Sequence, residues 1–216
     1  PLSLHDALPI SPPEYGPTVI SDPPGPEEPR KYYIDGGSVV VAHQLVYDLD
    51  PEGRQLRCIQ YTDYTGEKVR SLFSSAAVLR DRWADAEARQ QIIDELEKSG
   101  IDFEHLAEVT GQTDADPFDL LCHVAFNSPL RTRRERADRL LKDKKDFFDQ
   151  YGPEARDILR DLLEKYAEHG LAQFQVPDVL KVPPISERGN ISEIVSAFGG
   201  ADQLRAAVGQ LQAEIY

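Results

Sequence analysis

The sequence predicts a mainly α-helical protein with a small antiparallel β-meander near its N-terminus. Two observations support this fold class. Between residues 31 and 64, β-branched and aromatic residues alternate with turn signals, which is typical of short antiparallel strands. Beyond Gly66, apolar residues recur at helical spacing between capping residues. We therefore expect a meander over residues 31–66 and an irregular multi-helix domain over residues 67–216.

The β segment contains three predicted strands. The first, Lys31–Ile34, leads into the hairpin signal Asp35–Gly37. The second runs from Val39 to Tyr47, and Asp50–Gly53 has the proline and glycine of a tight turn. The third runs from Leu56 to Tyr64. Because three strands alone are only marginally stable, we expect this meander to pack on the helices that follow.

About seven helices are predicted after the meander, because capping signals and apolar stripes agree there. The start signals are Asp85, Asp102, Asp116 with Pro117, Thr132 with Glu135, Gly152 with Pro153, and Asn190 with Glu193. Gly100, Gly111 and Gly170 are the expected stops. The last helix has the apolar stripe Leu204, Val208, Leu211 and Ile215.

The first 30 residues are expected to stand apart from the folded domain. Leu2–Ile10 resembles a sequencing-library adapter translated in frame, so we predict that residues 1–10 are an artefact and exclude them. Residues 11–30 contain seven prolines and are predicted to be an extended linker. The sequence contains no methionine, which leads us to expect a piece of a longer reading frame.

Composition limits the possible functions. The chain has 216 residues and a net charge of −14, so contact with DNA would require a local basic patch. No apolar run approaches the length of a membrane span. The two cysteines, Cys58 and Cys122, fit no zinc-binding spacing and favour a reduced, cytoplasmic protein.

The sequence predicts no catalytic, cofactor-binding or metal-binding residue. The phosphate-binding loop, the dinucleotide fingerprint and the nucleophile elbow are all missing from the sequence. His43, within a predicted strand, His105, His123 and His169 have no second ligand at metal-binding spacing, and Cys122 is expected to be a core residue.

The carboxylates of the helical region also predict no nuclease. Asp116 and Asp119 are better explained by the start of a helix than by catalysis. Asp143-Lys144-Lys145 superficially resembles the end of a nuclease motif. The acidic residue that such a motif has on a preceding strand is missing here, so we do not expect nuclease activity from this chain.

Residues 131–145 form the most distinctive charged segment, with eight basic and three acidic residues. One interpretation is a basic surface that meets DNA phosphates or an acidic partner subunit. The other is a solvated helix whose Glu–Arg pairs each contribute a few tenths of a kcal/mol. The candidate contact residues are Arg131, Arg133, Arg134, Arg136, Arg139 and Lys142.

Several separated segments resemble one known family. They are Lys31–Gly36, Asp116–Phe126, Leu130–Ala137, Val179–Ser186 and Ile194–Gly200. Together they are similar to the C-terminal domain of EcoEI-type R proteins, the motor subunits of type I restriction enzymes. The resemblance covers residues 30–216 and is specific, since the segments occur in the family's order.

The resemblance implies a parent subunit that is an ATP-dependent type I site-specific deoxyribonuclease. ATP and Mg²⁺ are expected in its upstream motor and nuclease domains, and no cofactor is expected here. The C-terminal domain would help to dock the R subunit onto the methyltransferase core of modification and specificity subunits. Contact with double-stranded DNA is possible, a membrane is not expected, and the cytoplasm of a bacterium or archaeon is the expected location. The alternative is a DNA-contacting accessory domain of a DEAD/DEAH-type helicase-like protein.

Overall fold

The computed structural model describes residues 29–171, 174 and 176–216. The predicted adapter at residues 1–10 lies outside this range, and so does the predicted linker except for its last two residues. Arg30, the end of that predicted linker, opens the first strand. The predicted class is confirmed, because ten α-helices follow a small antiparallel sheet in the described part of the chain.

Among the described residues the sheet has four strands, β1 (Arg30–Ile34), β2 (Gly37–Ala42), β3 (Leu45–Leu49) and β4 (Gln55–Gln60), paired in sequence order. The prediction of three strands was wrong, because the segment 39–47 turns back on itself at His43 and Gln44. His43 therefore lies in a turn and has a φ of 52°. No glycine or proline marks this turn, and histidine tolerates the left-handed region better than most residues.

The helices are α1 (Tyr61–Leu72), α2 (Ala76–Trp83), α3 (Ala86–Lys98), α4 (Phe103–Thr110), α5 (Pro117–Phe126), α6 (Arg133–Asp143), α7 (Lys145–Asp149), α8 (Pro153–His169), α9 (Ile191–Ala197) and α10 (Ala201–Ile215). The short 3-10 helices Asp178–Lys181 and Ile185–Glu187 lie between α8 and α9. The prediction of about seven helices missed α1, α2 and α7.

The predicted end of the third strand was also wrong, since residues 61–64 begin α1. Tyr61 and Tyr64 lie three residues apart and are both buried, as one face of a helix requires. The backbone N–H of Asp102 donates to the Tyr61 hydroxyl over 2.7 Å, and the Tyr64 hydroxyl donates to the carbonyl of Ser99 over 2.7 Å. These long-range contacts favour the helix over the strand that aromatic residues locally suggest.

Gly66 lies inside α1 and is not the boundary between sheet and helices. A Cβ atom at this position would lie 2.5 Å from the carbonyl oxygen of Val124 in α5. The missing side chain therefore allows α1 and α5 to approach closely.

The predicted capping residues are confirmed. Asp85 accepts a hydrogen bond from the Ala88 N–H over 2.8 Å, and Asp102 from the His105 N–H over 3.0 Å. Thr132 with Glu135, and Asn190 with Glu193, form reciprocal capping boxes. Gly111 and Gly170 cap the ends of α4 and α8 with φ values of 67° and 74°.

Two hydrophobic cores divide the described residues. The sheet and α1–α5 share the first core, which extends from Val39 to Ala125. Helices α6–α10 build the second, from Ala137 to Ile215. Tyr216 packs against both cores. The main change in packing thus lies between α5 and α6, whereas the sheet continues into the helices that follow it.

Candidate interaction surface and the junction behind it

The basic segment at residues 131–145 forms the turn before α6, α6 itself and the start of α7. Thr132 begins α6: its hydroxyl accepts from the Glu135 N–H over 3.1 Å, and Glu135 accepts from the Thr132 N–H over 2.8 Å. This cap fixes the direction of α6 beside α5 and α8, with which it packs. The six candidate residues consequently point in several directions.

Arg136 lies in the interior of the protein, between the two cores. Its guanidinium donates two hydrogen bonds to the Asp119 carboxylate, one of them over 2.9 Å, and a third to the Ile215 carbonyl over 2.7 Å. The rings of Phe118 and Tyr216 lie 5.0 and 5.1 Å from it. Burial alone would lower the pKa of Arg136, but the hydrogen bonds to Asp119 and the negative charges of Asp119 and Asp116 together outweigh burial and raise the pKa.

Three other candidates form hydrogen bonds or ion pairs within the domain. Arg133 is half-buried and donates to the Ala115 carbonyl over 3.1 Å. Arg134 is exposed and forms a two-point ion pair with Glu164 of α8, with both distances 2.6 Å. Arg139 is exposed and pairs with Asp143 one turn later, over 3.1 Å.

Arg131 and Lys142 form no ion pair within the described residues. Arg131 is half-buried in the turn before α6, and Lys142 is exposed on the outer side of α6. The structure therefore leaves these two side chains as the free cations among the six candidates.

Arg131 lines an open groove formed by α2, α5, the turn at 128–131, α6 and the end of α10. Its basic residues are Arg80, Arg131, Arg136, Arg139 and Lys144. Each of its three acidic side chains is held by one of these cations, since Asp119, Asp143 and Glu214 pair with Arg136, Arg139 and Lys144. Arg80 and Arg131 form no ion pair in the described structure, which gives the groove a local positive charge in an acidic protein.

Asp116 organises the junction beneath this groove. One of its carboxylate oxygens caps α5 by accepting the Phe118 N–H over 2.9 Å. The other accepts the hydroxyl of Tyr166 from α8 over 2.8 Å and that of Tyr216 over 3.1 Å. Burial, together with the Asp116 charge, raises the pKa of both tyrosines, so both hydroxyls stay protonated and can donate.

The prediction of Asp116 as a helix cap is confirmed, but the tyrosines and Asp119 of this junction were missed. Asp119 lies in α5 between apolar residues, and a carboxylate within such a run indicates a buried partner. Arg136 lies one turn before buried Leu140, on the apolar side of α6. These two signals were present in the sequence. The tyrosines come from distant segments, and no local pattern relates them to Asp116.

In the part of the chain that the structure describes, no group of three or more His, Cys, Asp or Glu side chains could hold a metal ion. His105 shares a 2.6 Å hydrogen bond with the His43 carbonyl, and His123 a 3.0 Å one with the Ser128 carbonyl. Cys122 is buried, as predicted, and burial raises its thiol pKa to about 12. Asp143 and Lys144, of the nuclease-like triplet, each form a surface ion pair.

None of the described helices is both long and apolar enough to cross a membrane.

A protein family and a curated relative both match the chain, and they agree with each other. The family described as "EcoEI R protein C-terminal" matches residues 59–216. The Type I restriction enzyme EcoAI endonuclease subunit of Escherichia coli is 37% identical over 198 residues. This alignment covers 89% of the chain and 24% of the relative, so the chain spans about a quarter of that protein's length. No solved structure matches the chain.

The family match and the relative do not favour the alternative of a helicase-like accessory domain. The family match alone covers well over half of the chain, and the name of the relative agrees with it. The chain therefore belongs to the EcoEI R protein C-terminal family, the C-terminal domain of type I restriction enzyme R subunits.

Proposed function

We propose that this domain is a non-catalytic assembly module, which docks an R subunit onto the methyltransferase core formed by modification and specificity subunits. The observation that carries the proposal is the match to the C-terminal family of R proteins and to an endonuclease subunit, of which the chain spans 24%. In this proposal ATP hydrolysis and Mg²⁺-dependent DNA cleavage belong to the part of the subunit outside this domain. The cytoplasmic location stays a prediction.

The groove at α6 is the proposed docking surface. Its free cations, Arg80 and Arg131, line the same groove as the exposed apolar residues Pro129 and Ala213. Such a lining suits an acidic segment of a partner protein that also carries an apolar side chain, because charges give register and apolar contacts give affinity.

Direct contact with duplex DNA is less well supported by the same geometry. Four of the six predicted contact residues are engaged with carboxylates or backbone carbonyls of the domain itself. The chain has a net charge of −14, which repels DNA at long range. DNA contact therefore stays a prediction, and a steep fall of affinity with salt would identify it.

Co-purification tests the assembly proposal. The 216-residue chain, carrying an affinity tag, is co-expressed with the modification and specificity subunits of its own restriction system. We expect all three to elute together in size-exclusion chromatography. If the two methyltransferase subunits form their complex and the chain elutes separately, the proposal is wrong. A DNA-binding titration of the 216-residue chain alone separates the assembly role from the DNA-contacting one.

A further inference from the structure

The two faces of the sheet have different surroundings. Pairing of Val39 with Asp48 and of Val41 with Val46 places these residues on the face that packs on the first core. Residues between them along each strand point the opposite way. We call this opposite side the outer sheet face, and its large side chains are Tyr33, Val40, Tyr47, Leu49 and Cys58, joined by Leu56 at the register shift of β4.

On the outer sheet face Tyr33, Leu56 and Cys58 are exposed, and Val40, Tyr47 and Leu49 between them are half-buried. Tyr33 is 80% exposed and Leu56 is 68% exposed, which makes them the two most exposed large hydrophobic residues described. Lys31 crosses this face with its ammonium group 5.2 Å from the centre of the Tyr33 ring. An antiparallel sheet that faces water on one side normally carries polar residues there. A contiguous group of exposed apolar side chains instead marks a surface that another protein layer covers.

The position of the sheet in the chain identifies the covering layer. Its first strand begins at Arg30, so the sheet is the first folded element described. The matching family is described as C-terminal, and the chain spans 24% of the relative. Most of such a polypeptide therefore precedes the sheet. We propose that the outer sheet face packs against an apolar surface of the preceding part of the same R subunit.

This inference rests on the proposed function, because it assumes that the domain works within an R subunit. It concerns a different surface, since none of the outer-face residues lines the groove at α6. The sheet would hold the domain to its own subunit, while the groove would contact partner subunits.

The chain contains its own probe for this contact. It has two cysteines, of which Cys58 is exposed on the outer sheet face and Cys122 is buried in the first core. Alkylation with N-ethylmaleimide, followed by mass spectrometry of the two cysteine-containing peptides, measures the accessibility of each thiol. The comparison is between the 216-residue chain and the intact R subunit that carries this sequence.

We expect Cys58 to react at least about tenfold more slowly in the intact subunit, because thiol reactivity follows access. Cys122 should react slowly in both proteins and serves as the internal control. In the intact subunit, Tyr33→Glu combined with Leu56→Glu should restore fast alkylation of Cys58. Ile191→Glu is the matched control, since Ile191 is 41% exposed on a distant helix, and it should change nothing.

Equal rates for Cys58 in the two proteins would overturn the inference. The inference would also be wrong if Cys58 of the 216-residue chain reacts slowly and its rate falls with increasing protein concentration. A second copy of the chain would then cover the outer sheet face. If removal of residues 1–28 from that chain accelerates the reaction about tenfold, those residues are the occupant and the inference is wrong. Co-purification with the methyltransferase subunits is measured separately, so failure of the docking proposal is distinguishable from failure of this one.

Discussion

Arginines lie on both sides of α6, but the buried one and the exposed one have different structural roles. Arg136 faces the junction between the two cores, where it is 6% exposed and bound to Asp119. Arg134, two residues earlier, is exposed and bound to Glu164. A buried cation needs its partner, whereas an exposed one is also solvated by water. The comparison shows that a cluster of arginines is not by itself a binding surface.

The largest expected effect is at the buried side. Arg136→Ala leaves Asp119 as an uncompensated buried charge and removes the link to the Ile215 carbonyl. We expect a loss of about 3–5 kcal/mol in the free energy of unfolding, measured by urea denaturation. A loss below about 1 kcal/mol, the range of exposed pairs, would contradict the assignment.

A double variant sharpens this prediction. Asp119→Leu combined with Arg136→Met replaces the ion pair by apolar side chains of similar size. Such replacements of buried pairs are often neutral or stabilising, so we expect the double variant to be more stable than Arg136→Ala alone. Equal destabilisation in both proteins would show that the loss comes from packing of the arginine and not from the stranded carboxylate.

The next effect is at the tyrosine that joins α8 to α5. Tyr166→Phe removes the hydrogen bond to Asp116 and keeps the ring that packs on Phe174. We expect a loss of about 1.5–3 kcal/mol, because the acceptor is a charged group. The control is Tyr151→Phe, whose hydroxyl bonds to Gln210 at the surface and should cost less. Equal losses would argue against a special role for Asp116.

The smallest effect is on the exposed side. Arg134→Ala should change the free energy of unfolding by less than about 1 kcal/mol, and salt should reduce the difference further. The ion pair with Arg134 lowers the pKa of Glu164. The stabilisation by this pair is therefore present above the ordinary carboxyl pKa and disappears as pH falls through the lowered value. A difference between wild type and variant that grows on acidification would contradict this.

Local signals in the sequence were sufficient to predict much of the fold. Asp85, Asp102 and Asp116 cap the helices that they were predicted to cap, because a cap depends on a few neighbouring residues. The turn at His43 has no such signal. The start of α1 depends on contacts of Tyr61 and Tyr64 some 35 to 41 residues away, which local propensity does not include.

The candidate surface was only partly predictable, for the same reason. The composition of residues 131–145 identified the basic segment but not which side of α6 faces the interior. Arg80 was not predicted as a contact residue, since it comes from α2 and lies near Arg131 only in the folded groove. Conversely, Arg136 is buried because it binds Asp119 and packs on Tyr216, which lie 17 and 80 residues away from it in the sequence.

The most direct test of the account is the affinity of the domain for the methyltransferase core when only the free cations of the groove are changed. Arg80→Glu with Arg131→Glu should raise the Kd at least about tenfold and leave the circular dichroism spectrum unchanged, because both side chains lie outside the cores. Arg205→Glu, an exposed reversal elsewhere on α10, should leave the Kd unchanged. Equal affinity of the groove variant and wild type would contradict the claim that this side of the domain docks its partners.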